Sequence, residues 1–169
     1  MFNYITYLII LLLTFLGILV GGALALVAPE ELKKGAKFWQ IAKYLFIVLM
    51  IASIFYFSIK YSNIITAVLI SLALIFLKLA NREYPAFAFV LFFSSASNDF
   101  LLTISALIFV YGLFVGTLES KDFIIPKLDK YKRITLKKAN IGKLFFQLVK
   151  NNILYLLFGL ILLPLGAYL

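Results

Sequence analysis

The sequence predicts an all-α polytopic membrane protein, with six transmembrane helices arranged as three hairpins. Three observations carry this expectation. Apolar residues make up 64% of the 169-residue chain and charged residues only 14%, whereas soluble domains are nearer half apolar. The apolar residues lie in long runs broken by short polar turns. The basic residues collect in alternate turns. A soluble fold of this size has no interior large enough to hide so much apolar surface, and a bilayer removes the need. One transmembrane helical domain over 1–169 is the expected organisation.

Span one is expected at 5–28, free of charge and long enough to cross ~30 Å of hydrocarbon. Pro29-Glu30-Glu31 should end it and a turn at 32–37 follow. Phe38-Trp39 would then stand in an interfacial aromatic belt. Because the first lysine is Lys33 and the apolar run is long, no cleaved signal peptide is expected. Span two covers about 41–59. Lys60 to Asn63 reads as a tight turn, with Asn63 capping span three at 64–80. Pro85 suits the first position of span four at 85–97. That span is short and ends in polar residues. Span five is expected at 100–118, and a basic cytoplasmic loop at 119–143. Residues 136–147 alternate apolar and basic positions at helical spacing, which predicts an amphipathic helix in the headgroup plane. Span six, 153–169, closes the chain.

The charge distribution tests the number of spans. With six, the turns 28–43, 78–84 and 119–150 share one side and hold fifteen of the sixteen basic residues. Only Lys60 remains on the other side. Omitting span four would scatter the basic segments over both sides, so the short span is counted as real. The excess of lysine and arginine then places these turns in the cytoplasm and both termini outside, in a cell membrane.

An internal repeat is one reading of two similarities. Gly17-Ile-Leu-Val-Gly21 resembles Gly112-Leu-Phe-Val-Gly116, and Phe38-Trp-Gln-Ile-Ala-Lys43 resembles Phe145-Phe-Gln-Leu-Val-Lys150. Chance likeness between apolar helices with small residues is the other.

The chain has no cysteine and no histidine. This removes disulfides, thiolate and imidazole metal sites, and histidine-assisted nucleophiles. No cofactor, metal or catalytic residue is expected. A two-aspartate intramembrane site needs two acids at depth, and Asp99 is the only acid expected off the cytoplasmic side.

Three groups of residues remain as candidates. Gly17, Gly21 and Ala25, and Gly112 and Gly116, form small-xxx-small patterns that let helix backbones approach closely in lipid. They serve either internal packing or a face for a second helix. Ser94, Ser95, Ser97, Asn98 and Asp99 form an outer polar cluster. They either bind a cation or headgroup in a shallow vestibule, or cap span five. Gln40 with Lys43, and Gln147 with Lys150, place an amide and an ammonium on one helix face near the inner boundary. They either contact anionic lipid headgroups or snorkel to mark the interface. The basic loop would bind anionic lipid, ribosomal RNA or an acidic partner, or only set topology.

The functional expectation is a non-enzymatic subunit or assembly factor of a membrane complex, paired with a partner membrane subunit or a second copy of itself. A small transporter, permease or lipid translocator is the alternative, and a membrane enzyme acting on lipid the third.

Overall fold

A computed structural model describes residues 3–60, 83–130 and 138–168. Its helices run α1 (Tyr4–Val27), α2 (Pro29–Lys60), α3 (Glu83–Ser94), α4 (Asn98–Lys130) and α5 (Lys138–Leu162), with a closing 3₁₀ segment at Leu163–Tyr168. Among the described residues four helical stretches are long and apolar enough to cross a membrane: Tyr4–Val27, Gly35–Lys60, Asn98–Lys121 and Ile141–Leu165. The expected span three, 64–80, and the turn before it lie outside the described residues.

Helix α1 starts where the side chain of Asn3 accepts hydrogen bonds from the amides of Ile5 and Thr6, at 3.1 and 3.2 Å. This N-cap satisfies two amides that have no partner within the helix. The helix ends at Ala28, whose amide still donates to Leu24 O at 3.1 Å while its backbone leaves the helical region (φ −124°, ψ 62°). Proline disfavours helical geometry in the residue before it, and Pro29 tolerates the first position of a new helix. The break between α1 and α2 is therefore a single residue. The turn expected at 32–37 is instead helix: α2 runs unbroken for 32 residues.

Helix α3 is only 12 residues long, a rise of ~18 Å. It begins halfway along α1, because Tyr84 Oη donates to the carbonyl of Thr14 at 3.0 Å. It ends near the start of α1, where the Phe92 and Tyr7 rings meet edge to face at 6.2 Å. Its start was expected at the basic end, in the turn 78–84. Among the described residues the start of this helix, at Tyr84, instead lies against the middle of α1. A three-residue turn joins α3 to α4, held by the amides of Ser95, Ala96 and Ser97 donating to Phe92, Phe93 and Ser94. Ser97 takes the cap position, its carbonyl accepting from Leu101 N at 2.9 Å. Asp99 falls in the first turn of α4, where the exposed amides favour an acid.

The segment expected as a loop from residue 119 is helical as far as Lys130, where the 33-residue α4 ends. The amphipathic stretch at 136–147 is not a separate helix either. From Lys138 it continues directly into span six as α5, 25 residues long. Among the described residues the lysines at 33–37, 121–130 and 138–150 thus lie on helix continuous with the long apolar stretches, because lysine propagates helix nearly as well as leucine.

Helices α1 and α4 run parallel and form the centre, since Gly17 lies against Phe109 and Gly21 against Leu113. Helix α2 packs chiefly on α4 rather than on its neighbour α1, and α5 packs on α3 and α1. Each central helix is thus covered by the long helix that follows the other one, an exchange that suits a pair of repeated hairpins. Tyr7, Leu11, Ile18, Met50, Ile54, Phe87, Leu91, Ile104, Ile108, Tyr111 and Tyr155 fill the interior.

Candidate functional site

The glycine motifs meet each other inside this chain. A Cβ added to Gly17 would strike the carbonyl oxygen of Phe109, and one on Gly21 that of Leu113. In return, a Cβ on Gly112 would lie 3.1 Å from Ile18 N and 3.2 Å from Gly17 C, and one on Gly116 would strike Ile18 O. Only glycine permits this backbone contact. Thr117 Oγ1, at 3.1 Å from Gly21 O and 2.7 Å from Leu113 O, shares its single proton between the carbonyl across the seam and the one on its own helix. Ala25 is buried on the same side of α1.

Beside the seam lies a group of tyrosines. Thr14 Oγ1 is 2.9 Å from both Ile10 O and Leu11 O, and 2.6 Å from Tyr155 Oη. Its single proton goes to a helix carbonyl, so Tyr155 donates to Thr14. The Tyr84 ring lies 4.8 Å from the Tyr155 ring, tilted by 55°, and stacks on Tyr111 at 6.3 Å. Tyr7 Oη donates to Gly159 O at 3.4 Å. All four tyrosines are buried. Each supplies apolar area and one hydroxyl whose proton must find a partner. Of the four, Tyr111 stands well inside an apolar run rather than at its end, and that is the signal the sequence carries for this group.

At the basic end Glu119 gathers two amides. Asn152 Nδ2 donates to its carboxylate oxygens at 3.2 Å and Asn151 Nδ2 at 3.3 Å. Asn152 also donates to Leu148 O at 3.0 Å and is buried. This tie between α4 and α5 escaped the sequence reading.

In the outer polar cluster, Ser94 and Ser95 donate back to the carbonyls of Leu91 and Phe92. Ser94 is buried, Ser95 and Ser97 half-buried, and Asn98 and Asp99 exposed. The two amide-lysine pairs stay apart, on α2 and α5. Gln40 is exposed, while Lys43 is half-buried with Nζ 5.8 Å from the centre of the Tyr111 ring, a cation–π distance. Gln147 and Lys150 are both exposed. They line a groove of about 640 Å³ with Phe123, Lys143, Phe146 and Asn151. No group of three or more acidic residues able to hold a metal ion occurs among the described residues.

Comparisons with protein-family models, curated proteins and solved structures give no match.

Proposed function

We propose that this chain is a multi-pass protein of the cell membrane that crosses six times with both termini outside. In this reading it serves as a non-enzymatic subunit or assembly factor of a larger membrane complex. The observation that carries the reading is the form of the basic segments. Helix α4 has 33 residues, a rise of ~50 Å, so ~20 Å projects beyond a ~30 Å hydrocarbon layer. Helices α2 and α5 also begin in lysine-bearing turns at that end. A platform of lysine-bearing helix loses little conformational freedom when an acidic partner docks, unlike a disordered loop. The glycine seam and the Glu119 tie support it by fixing the platform to the membrane helices.

The partner in this reading is a membrane subunit with an acidic surface, or a second copy of the chain. Blue native electrophoresis in mild detergent tests it. The wild type should migrate within a larger complex, and Lys127→Glu with Lys130→Glu should release it. A wild-type protein that migrates alone, with no stoichiometric companion, ends the reading.

A small permease is the second reading, favoured by the buried hydroxyls of Thr14, Tyr84 and Tyr155 between the helices, since polar groups inside a membrane bundle mark substrate paths. Substrate flux into liposomes that falls with Tyr84→Phe and Asp99→Ala would favour it over the subunit.

A further inference from the structure

We propose that the groove on α5 beside Phe123 binds an anionic phospholipid, its phosphate held by Lys143 and Lys150. Residues 143, 147, 150 and 151 recur every three to four positions and so share one face of the helix. Lys143, Gln147, Lys150 and Asn151 are all exposed there. They offer two ammonium groups and two amides, donors suited to phosphate oxygens. Phe146, 71% exposed, and the half-buried Phe123 wall the groove. Its volume of about 640 Å³ lies within the usual range of ligand sites, roughly 300–1,000 Å³.

The continuation of this face identifies the occupant. Beyond Lys150 the same stripe passes to Ile153, Leu157, Leu160 and Ile161, every one exposed. A charged and aromatic end joined to an aliphatic track matches a molecule with an anionic head and a hydrocarbon tail. A nucleic acid or an acidic peptide would leave the aliphatic track bare.

The depth agrees. Leu148 lies against Gly22, near the basic end of the 24-residue apolar helix α1, where headgroups meet hydrocarbon. Glu119, the acid that the described hydrogen bonds place beside this face, has its carboxylate bonded to the Asn151 and Asn152 amides, which reduces its opposition to a phosphate. The inference rests on the membrane placement of α5 and is independent of any protein partner.

The test places one indole at the site. Phe146→Trp in a Trp39→Phe background removes the chain's single native tryptophan. The protein is reconstituted in vesicles of phosphatidylcholine and phosphatidylglycerol, with bromine on the chains of one lipid or the other. Quenching should show about a tenfold preference for phosphatidylglycerol, as two lysines at an anionic surface give after salt screening. Lys143→Gln with Lys150→Gln should reduce the preference to near one, whereas Lys37→Gln, an exposed cation on α2, should leave it. Phe146, Lys143, Lys150 and Lys37 are exposed, and the half-buried Trp39 keeps an aromatic ring as phenylalanine, so the fold tolerates the changes. Equal quenching by both lipids, or a preference that survives the double variant, overturns the site. Quenching by neither lipid overturns the membrane placement as well. An indole shift elicited by single-stranded RNA, without a phosphatidylglycerol preference, overturns it in favour of nucleic acid.

Discussion

Replacing Gly116 by alanine adds one methyl group where α1 and α4 touch. The new Cβ would lie 2.9 Å from Ile18 C and 3.0 Å from Gly22 N, and closer still to Ile18 O. Carbon atoms prefer separations of ~3.5–4.0 Å, so the helices must part by roughly 1 Å. Backbone atoms supply the clash, and no side-chain rotation relieves it. Overpacking of this kind costs ~1–3 kcal/mol. Parting the helices also stretches the Thr117–Gly21 hydrogen bond, worth ~0.6 kcal/mol inside a membrane. Against this stands the gain from replacing a helical glycine, at most ~1 kcal/mol. The loss dominates, leaving a net destabilisation of ~1–3 kcal/mol. Gly142→Ala is the matched control, because nothing lies within 4 Å of a Cβ there. It gains the propensity term alone, ~0.5–1 kcal/mol. Reversible unfolding in sodium dodecyl sulfate can be followed by Trp39, which packs 5.7 Å from Phe114 of α4. The two substitutions should shift the midpoint in opposite directions. If Gly116→Ala proves as stable as Gly142→Ala, the backbone seam is not how α1 and α4 meet.

Three further outcomes follow from the same structure. Thr14→Val removes the acceptor for the Tyr155 hydroxyl, and the unfolding midpoint should fall by ~1 kcal/mol equivalent. With Tyr155→Phe the double-mutant cycle should return a coupling of ~0.5–1.5 kcal/mol; a coupling of zero would exclude the bond. Glu119→Gln keeps one acceptor oxygen but loses the charge that draws both asparagine amides, and should cost ~1 kcal/mol. Equal loss in the Asn151→Ala background would show that the Asn151 contact contributes nothing. The chain has no cysteine, so single cysteines report sidedness cleanly. In intact cells Asn98→Cys should react with an impermeant maleimide from outside and Lys121→Cys only after permeabilisation. The opposite pattern would invert the topology.

The helical content and the apolar stretches were legible without coordinates, because both depend on local composition. So was the identity of the seam residues, since Gly17, Gly21, Gly112 and Gly116 stand at four-residue spacing. Their mutual contact was legible only as one of two options, packing of spans one and five on each other, because the same spacing also serves a second protein. The boundaries of polar segments were misread. Lysine and glutamate mark where lipid ends, not where helix ends, and so the extensions of α2, α4 and α5 looked like turns.

Sequence alone thus fixed an all-α chain with membrane-length apolar helices and its positive charge concentrated in a few segments. These properties are summed residue by residue and need no partner elsewhere in the chain. Tertiary structure alone decided that α1 and α4 lie parallel, that α2 covers α4 while α5 covers α1, and that Tyr84, Tyr155 and Thr14 converge beside the seam. The physical reason is the solvent. Lipid tails are as apolar as a protein core, so an apolar helix shows no polar face to reveal which side is buried. What selects the buried side is close fit between residues far apart in the chain, as where Gly116 admits the backbone of Ile18.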